Sequence, residues 1–300
     1  MGEANRYHLA GLLMRNFQGA RILLVHAHPD DETINNGATM AMYAALGAQV
    51  TLITCTRGEE GEVLVPELAH IAASQNDSLG AHREIELADA MKALGVTDFR
   101  FLGAPDVSFR DSGMMDTPPN NRPDVFWQAD LQQASKYLVD VIDEIKPHVM
   151  ITYDEIGGYG HPDHIQAHRV AMQASKLSTW QIPKIYWNTM PKSVIADGIE
   201  KMKALGSDFF GAESADDLPF AKDDEYVTTL IDGNEYVQAK MDAMAAHKTQ
   251  IALDGPFFAL SNNIGLQVWG NEYYTLVHGQ AHEPFDRDGR ETDLLAGIDF

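Results

Sequence analysis

A chain of 300 residues, 45% hydrophobic and 22% charged, is long enough to bury a large core and falls outside the compositions of disordered or fibrous proteins. Its 44 acidic residues against 22 Lys and Arg leave a formal charge of -22, which repels phosphate backbones and anionic lipid heads and argues against nucleic acid and membrane surfaces as partners. Cys55 is the only cysteine, so an internal disulfide and a cysteine-rich metal cluster are both excluded, and any metal must be held by His and carboxylates.

The first 20 residues lack a basic start followed by a sustained apolar core, and Arg6 stands where a myristoylation signal needs Ser or Thr; neither a signal peptide nor a membrane anchor is expected. Ile22 to His26 reads as a buried strand. Asn36 to Leu46 reads as a helix stopped at Gly47, followed by a strand from Gln49 to Cys55 in which Cys55 is a buried, inert thiol. Leu87, Ala90, Met91 and Leu94 recur at helical spacing up to Gly95, and a strand follows near Phe99 to Leu102. Ser108 to Pro123 has no period and three prolines, the mark of a long loop with a functional role. Leu131, Ala134, Leu138, Val141 and Ile145 mark a third helix stopped by Pro147, then a strand from His148 to Tyr153. Three strand-helix repeats predict an α/β fold, a Rossmann-like, mostly parallel sheet flanked by helices. Beyond Ile185 the pattern weakens. Ala215 to Glu225 reads as a solvated acidic loop and Tyr236 to Thr249 as a helix, so the expected division is a catalytic domain over 1–185 and a smaller C-terminal α/β portion over 186–300 that completes the substrate pocket.

Two motifs carry the chemistry. His28-Pro29-Asp30-Asp31-Glu32 follows the first strand, with Pro29 suited to the first position of the next helix; His161-Pro162-Asp163-His164 follows the strand ending at Tyr153 through the turn Gly157-Gly158-Tyr159-Gly160. Both lie at carboxyl ends of predicted parallel strands, where open α/β sheets bind ligands. One such motif alone serves a helix dipole as readily as a metal, but two at matching positions, each offering His and carboxylate, outweigh that reading. A zinc hydrolase needs three N/O ligands, an open position for water, a carboxylate base and a donor for the oxyanion and departing amine. The motifs hold candidates for every part, while spacing leaves open which His binds metal and which is the acid.

AHPDDE (Ala27 to Glu32) followed far downstream by GHPDH (Gly160 to His164) resembles the metal-dependent de-N-acetylase family that includes N-acetylglucosaminyl-phosphatidylinositol deacetylase. The stretches TCTRGEEGEV, LGAHREIELADAM, FRDSGM, TYDEIGGYGHPDH, AAHKTQ, LSNN and ETDLLAGIDF extend the likeness over nearly the whole chain, most strongly to the branch that deacetylates N-acetylglucosaminyl-inositol in mycothiol biosynthesis. The resemblance implies a cytoplasmic enzyme that holds one zinc through His28, Asp31 and His164, although such ligands also accept iron, manganese or cobalt. It further implies Asp30 as general base, His161 as oxyanion partner and general acid oriented by Asp163, Tyr159 as a carbonyl-polarising group, and Arg83 and Asp111 as substrate-binding residues. His247 is a further candidate for substrate contact; His26, His70, His82, His148, His168 and His278 read as structural or exposed. A sibling branch that cleaves mycothiol S-conjugates carries a lysine soon after AHPDDE, where this chain has Asn35. A noncatalytic metal-binding regulator, which needs neither Asp30 nor His161, is the other alternative.

Overall fold

Short runs of branched apolar residues set the centre of the molecule. In this computed structural model, which describes residues 16–204, 206, 211–252 and 270–300, the run RILLVH forms β1 (Arg21–His26). Residues 1–15, read above for leader signals, and the LSNN stretch at 260–263 lie outside the described residues. Successive side chains of a strand point to opposite faces, so Ile22 and Leu24 enter one core while Leu23 and Val25 enter the other. A strand covered on both faces needs no polar alternation.

The other strands are β2 (Gln49–Thr54), β3 (Asp98–Phe101), β4 (Val149–Thr152), β5 (Lys184–Pro191), β6 (Ala221–Lys222), β7 (Thr229–Asp232) and β8 (Asn271–His278). The described residues place seven of them in the order β3-β2-β1-β4-β5-β8-β7, with β6 paired to β5. Every pairing from β3 through to β5 is parallel, and β8 then runs antiparallel to both β5 and β7. Helices α1 (Asp31–Ala45), α2 (Leu79–Leu94) and α6 (Val237–Ala246) supply Met40, Met91 and Ala243 to one core, and α3 (Leu131–Ile145) and α4 (Pro162–Leu177) supply Leu138 and Val170 to the other. The fold is thus the expected mixed α/β sandwich around a mostly parallel sheet. No helix of the described residues is long and apolar enough to cross a membrane.

Four expectations shift. The helix expected from Asn36 begins at Asp31, because the Asp30 carbonyl already accepts from Thr33 N at 3.1 Å and Ile34 N at 3.0 Å. Its first turn is polar and faces the site, so the apolar period starts late. Pro29 therefore precedes the N-cap Asp30, whereas Pro162 does take the first helical position of α4 behind the N-cap His161. The stretch from Ala215 to Glu225 is not simply solvated: Ala215, Leu218 and Ala221 are buried against Ile195, Ile199 and Met202 of α5 (Lys192–Ala204). Its acidic residues mask an apolar spacing of three. Position 185 lies inside β5, and the sheet continues through it to β8 and β7.

The chain runs outward from β1 to β3 and then returns to β4 on the other side of β1. The strand order reverses there, and both motifs leave the sheet at this switch point, where the crevice of such folds lies.

Candidate active site

His28 to Asp31 bridge the end of β1 and the start of α1, and His161 to His164 bridge the Gly157–Gly160 turn and α4. The rings of His28, His161 and His164 meet with centroids 4.6 to 5.2 Å apart. Asp31 Oδ2 stands between two of them, 3.3 Å from His28 Nδ1 and 3.4 Å from His164 Nε2. Donor atoms of His28, His161 and His164 lie within 4.8 Å of one another, as do those of His28, Asp111 and Asp163.

The surroundings decide which ring nitrogens are available. His164 Nδ1 lies 3.2 Å from the Gly157 carbonyl, an N–H donor's position, while its Nε2 is buried with no hydrogen-bond partner. A buried, unpartnered ring nitrogen facing a carboxylate fits a metal ligand. His28 Nε2 is 3.2 Å from Asp163 Oδ2 and 3.6 Å from Asp111 Oδ1, which leaves Nδ1 turned to Asp31. A carboxylate behind a ligating imidazole fixes its tautomer and raises its basicity. Burial opposes a charge on His28, but Asp111, Asp163 and Asp31 outweigh it and hold the ring well above the usual histidine value. Burial likewise opposes the Asp31 carboxylate, and His164 and His28 outweigh it. Tyr153 stacks on His164 at 4.3 Å and 22°, and its hydroxyl accepts from Ala27 N at 2.9 Å, tying β4 to β1 beneath the cluster.

Asp30 adopts φ 122 and ψ -33, a conformation unusual for a residue with a side chain. Burial drives its carboxyl up to about 6 against the opposing pull of Arg83. It lines a cavity of about 630 Å³ together with Asp31, Asn35, Tyr159 and His164. Asn188 and Met190 of β5 and, from the C-terminal third, Leu218, Phe220 and Tyr273 complete the lining. The Asn35 side chain donates to the Asp31 carbonyl at 2.8 Å, a contact within its own helix. Tyr159 is 44% exposed at the cavity wall, its ring 5.0 Å from that of His164.

All nine predicted residues converge here, but three face differently from expectation. Asp163 gives its carboxylate to His28 and to Ser112, and meets His161 only through its backbone N–H, which donates to His161 Nδ1 at 3.1 Å. As the residue after a proline at a helix start, its N–H is free for the N-cap side chain. Arg83, 3% exposed, donates to the Gly58 and Pro29 carbonyls and to Asp30 Oδ2 at 3.2 Å, and so lies under Asp30. Asp111, also 3% exposed, accepts from Glu60 N and Gly113 N behind His28. His247 is fully buried against Glu32. Reading by residue missed Glu32, Ser112 and Tyr153, although all three stood inside quoted stretches, Glu32 in AHPDDE, Ser112 in FRDSGM and Tyr153 in TYDEIGGYGHPDH.

The sequence profile of the family described as GlcNAc-PI de-N-acetylase (PIG-L) matches residues 23–175. The chain belongs to this family. De-N-acetylases of the PIG-L family are metal-dependent amide hydrolases, and the His/Asp cluster at the switch point is a donor set of that kind. One relative, the 1D-myo-inositol 2-acetamido-2-deoxy-alpha-D-glucopyranoside deacetylase of Geodermatophilus obscurus, is 57% identical over 291 residues, covering 93% of this chain and 98% of its own. The protein of the same description from Acidothermus cellulolyticus is 56% identical, covering 93% and 95%. Among solved structures, N,N'-diacetylchitobiose deacetylase from Pyrococcus horikoshii superposes with a TM-score of 0.55 over 92% of this chain and 93% of that one. At 17% identity this likeness concerns the fold alone.

Proposed function

We propose that this PIG-L chain is a zinc-dependent amidase that removes the acetyl group from 1D-myo-inositol 2-acetamido-2-deoxy-α-D-glucopyranoside, releasing acetate and glucosaminyl-inositol for mycothiol biosynthesis in the cytoplasm. The observation that carries the reading is the site itself, a three-donor cluster beside a poised carboxylate on a cavity sized for a disaccharide-like ligand. Relatives of 51–57% identity bear the name of this reaction.

His28 Nδ1, Asp31 Oδ2 and His164 Nε2 would hold the ion. When bound, it supplies Lewis acidity that acidifies a water and polarises the amide carbonyl. Asp30, with a carboxyl raised to about 6, takes the proton of the attacking water and remains basic enough near neutrality to do so. His161 faces the same cluster with Nδ1 engaged by Asp163 N, so its Nε2 serves the oxyanion and then the departing amine. Tyr159 borders the carbonyl from the cavity wall. Arg83 and Asp111, which resemblance assigns to the sugar, act here from beneath, Arg83 on the Asp30 carboxylate and Asp111 on His28. Residues 1–185 supply this machinery, and residues 186–300 complete the pocket that takes the inositol-bearing part of the substrate.

The test is release of primary amine from N-acetylglucosaminyl-inositol, read with fluorescamine for zinc-loaded and chelated protein. Metal-dependent release is the expected result. A zinc-loaded sample that spares this substrate but cleaves a mycothiol S-conjugate makes the chain an amidase of conjugates, and silence on both makes it a metal-binding regulator.

A further inference from the structure

Asp30 lines the cavity from a backbone conformation that L side chains rarely adopt. Something outside the residue must hold it there. Its carboxylate is met by Arg83 at 3.2 Å, which constrains the side chain, while its backbone N–H donates to Glu32 Oε2 at 2.9 Å. Glu32 is fully buried, and a lone carboxylate at such a place is unstable unless its oxygens are satisfied. Its other oxygen accepts from Thr33 Oγ1 at 2.6 Å and from His247 Nε2 at 2.9 Å. His247 stands 215 residues downstream, fully buried, at the C-cap of α6. The segment after it is clamped in turn, because Glu86 of α2 accepts from Thr249 N at 2.9 Å and Thr249 Oγ1 at 2.7 Å. A continuous strut runs from α2 and α6 through His247 and Glu32 to the Asp30 amide.

We propose that Glu32 and His247 are positioning residues that hold the strained Asp30 backbone so that its carboxylate addresses the cavity. The inference rests on Asp30 being the base. Neither residue is called on to touch substrate or metal; their work is geometric and passes through the Asp30 N–H. An amide at position 32 keeps an oxygen for that N–H, and with the carboxylate that raises the His247 pKa removed, the ring is left neutral and accepts from the new NH₂, so Glu32→Gln preserves the strut where Glu32→Ala removes it.

The experiment has two arms on the full chain. The first reads hydrogen exchange of the Asp30 backbone amide by NMR in wild type, Glu32→Gln, Glu32→Ala and His247→Leu, and needs no substrate. Protection in wild type and Glu32→Gln with exchange at least about tenfold faster in the other two is expected; unchanged exchange overturns the strut. The second measures kcat, KM and zinc content. Glu32→Ala and His247→Leu should each lose at least about tenfold in kcat with KM and zinc content retained, and the double variant should be no worse than the poorer single one. Fully additive losses, loss of zinc, or a Glu32→Gln variant as slow as Glu32→Ala overturns the proposal. Should His247→Leu fail to fold, His247→Asn takes its place under the same outcomes. Wild-type silence in the second arm strikes the proposed reaction, while the first arm still decides the strut.

Discussion

Each residue of the site is tuned by what stands behind it. Asp30 combines exposure to the cavity with burial enough to lift its carboxyl to about 6, so Asp30→Asn should lower kcat by about 10²–10⁴-fold with zinc retained, checked by steady-state kinetics beside metal analysis. His148 offers a test away from the metal. Burial, with Arg21 against both ring nitrogens, pushes it down to about 4 from 6.5. Between those values the unfolded chain binds a proton that the folded chain refuses, so this contribution to stability is complete above about pH 6.5 and declines as pH falls toward 4. Melting of His148→Phe across that window should flatten relative to wild type by no more than about 3 kcal/mol; an equal acid decline in both proteins rejects the assignment. Contiguous motif residues were legible because one turn carries them. Arg83 and Asp111 were legible as neighbours of the site but not in their direction, which depends on carbonyls and amides from other loops.

Elements transmit this tuning through close approaches. Gly157 has φ +63, and an added Cβ would stand 2.6 Å from His164 Cβ and 2.7 Å from Ile165 N, so the turn and α4 pack without room for a methyl group. Gly157→Ala should shift His164 and weaken metal binding by about 10–100-fold in chelator competition, while the fold survives; wild-type affinity would show that the turn yields instead. The other end of the sheet is pinned by a buried pair, Lys184 of β5 with Glu291, whose carboxylate also accepts from Tyr186 OH at 2.6 Å. Lys184→Met strands that carboxylate and should cost about 3–5 kcal/mol in denaturant unfolding, with kcat spared because the pair lies outside the cavity. Strand and helix identities in the first half followed from period and stop signals. Their boundaries moved where polar residues were buried for function, as at Asp31 to Asn35, since a site-facing turn hides the helical period.

For the whole molecule, two apolar cores lie on either side of one sheet, and the proposed ion would join ligands from the β1–α1 turn, α1 and α4 at the edge of that framework. Chelation should therefore lower the melting temperature while leaving the far-UV spectrum intact, and free zinc at 100 times its Kd should restore about 2.7 kcal/mol; loss of secondary structure on chelation would show that metal and fold are inseparable. The chain by itself determined the α/β class, the two motifs and the family, because local period, prolines and short contiguous signatures are written within single turns. Only the tertiary structure decided that Asp163 backs His28, that His247 reaches Glu32 from 215 residues away, and that the last third closes the cavity. Those contacts join segments far apart in the chain, and their geometry is set by how sheet and helices pack, which no local pattern encodes.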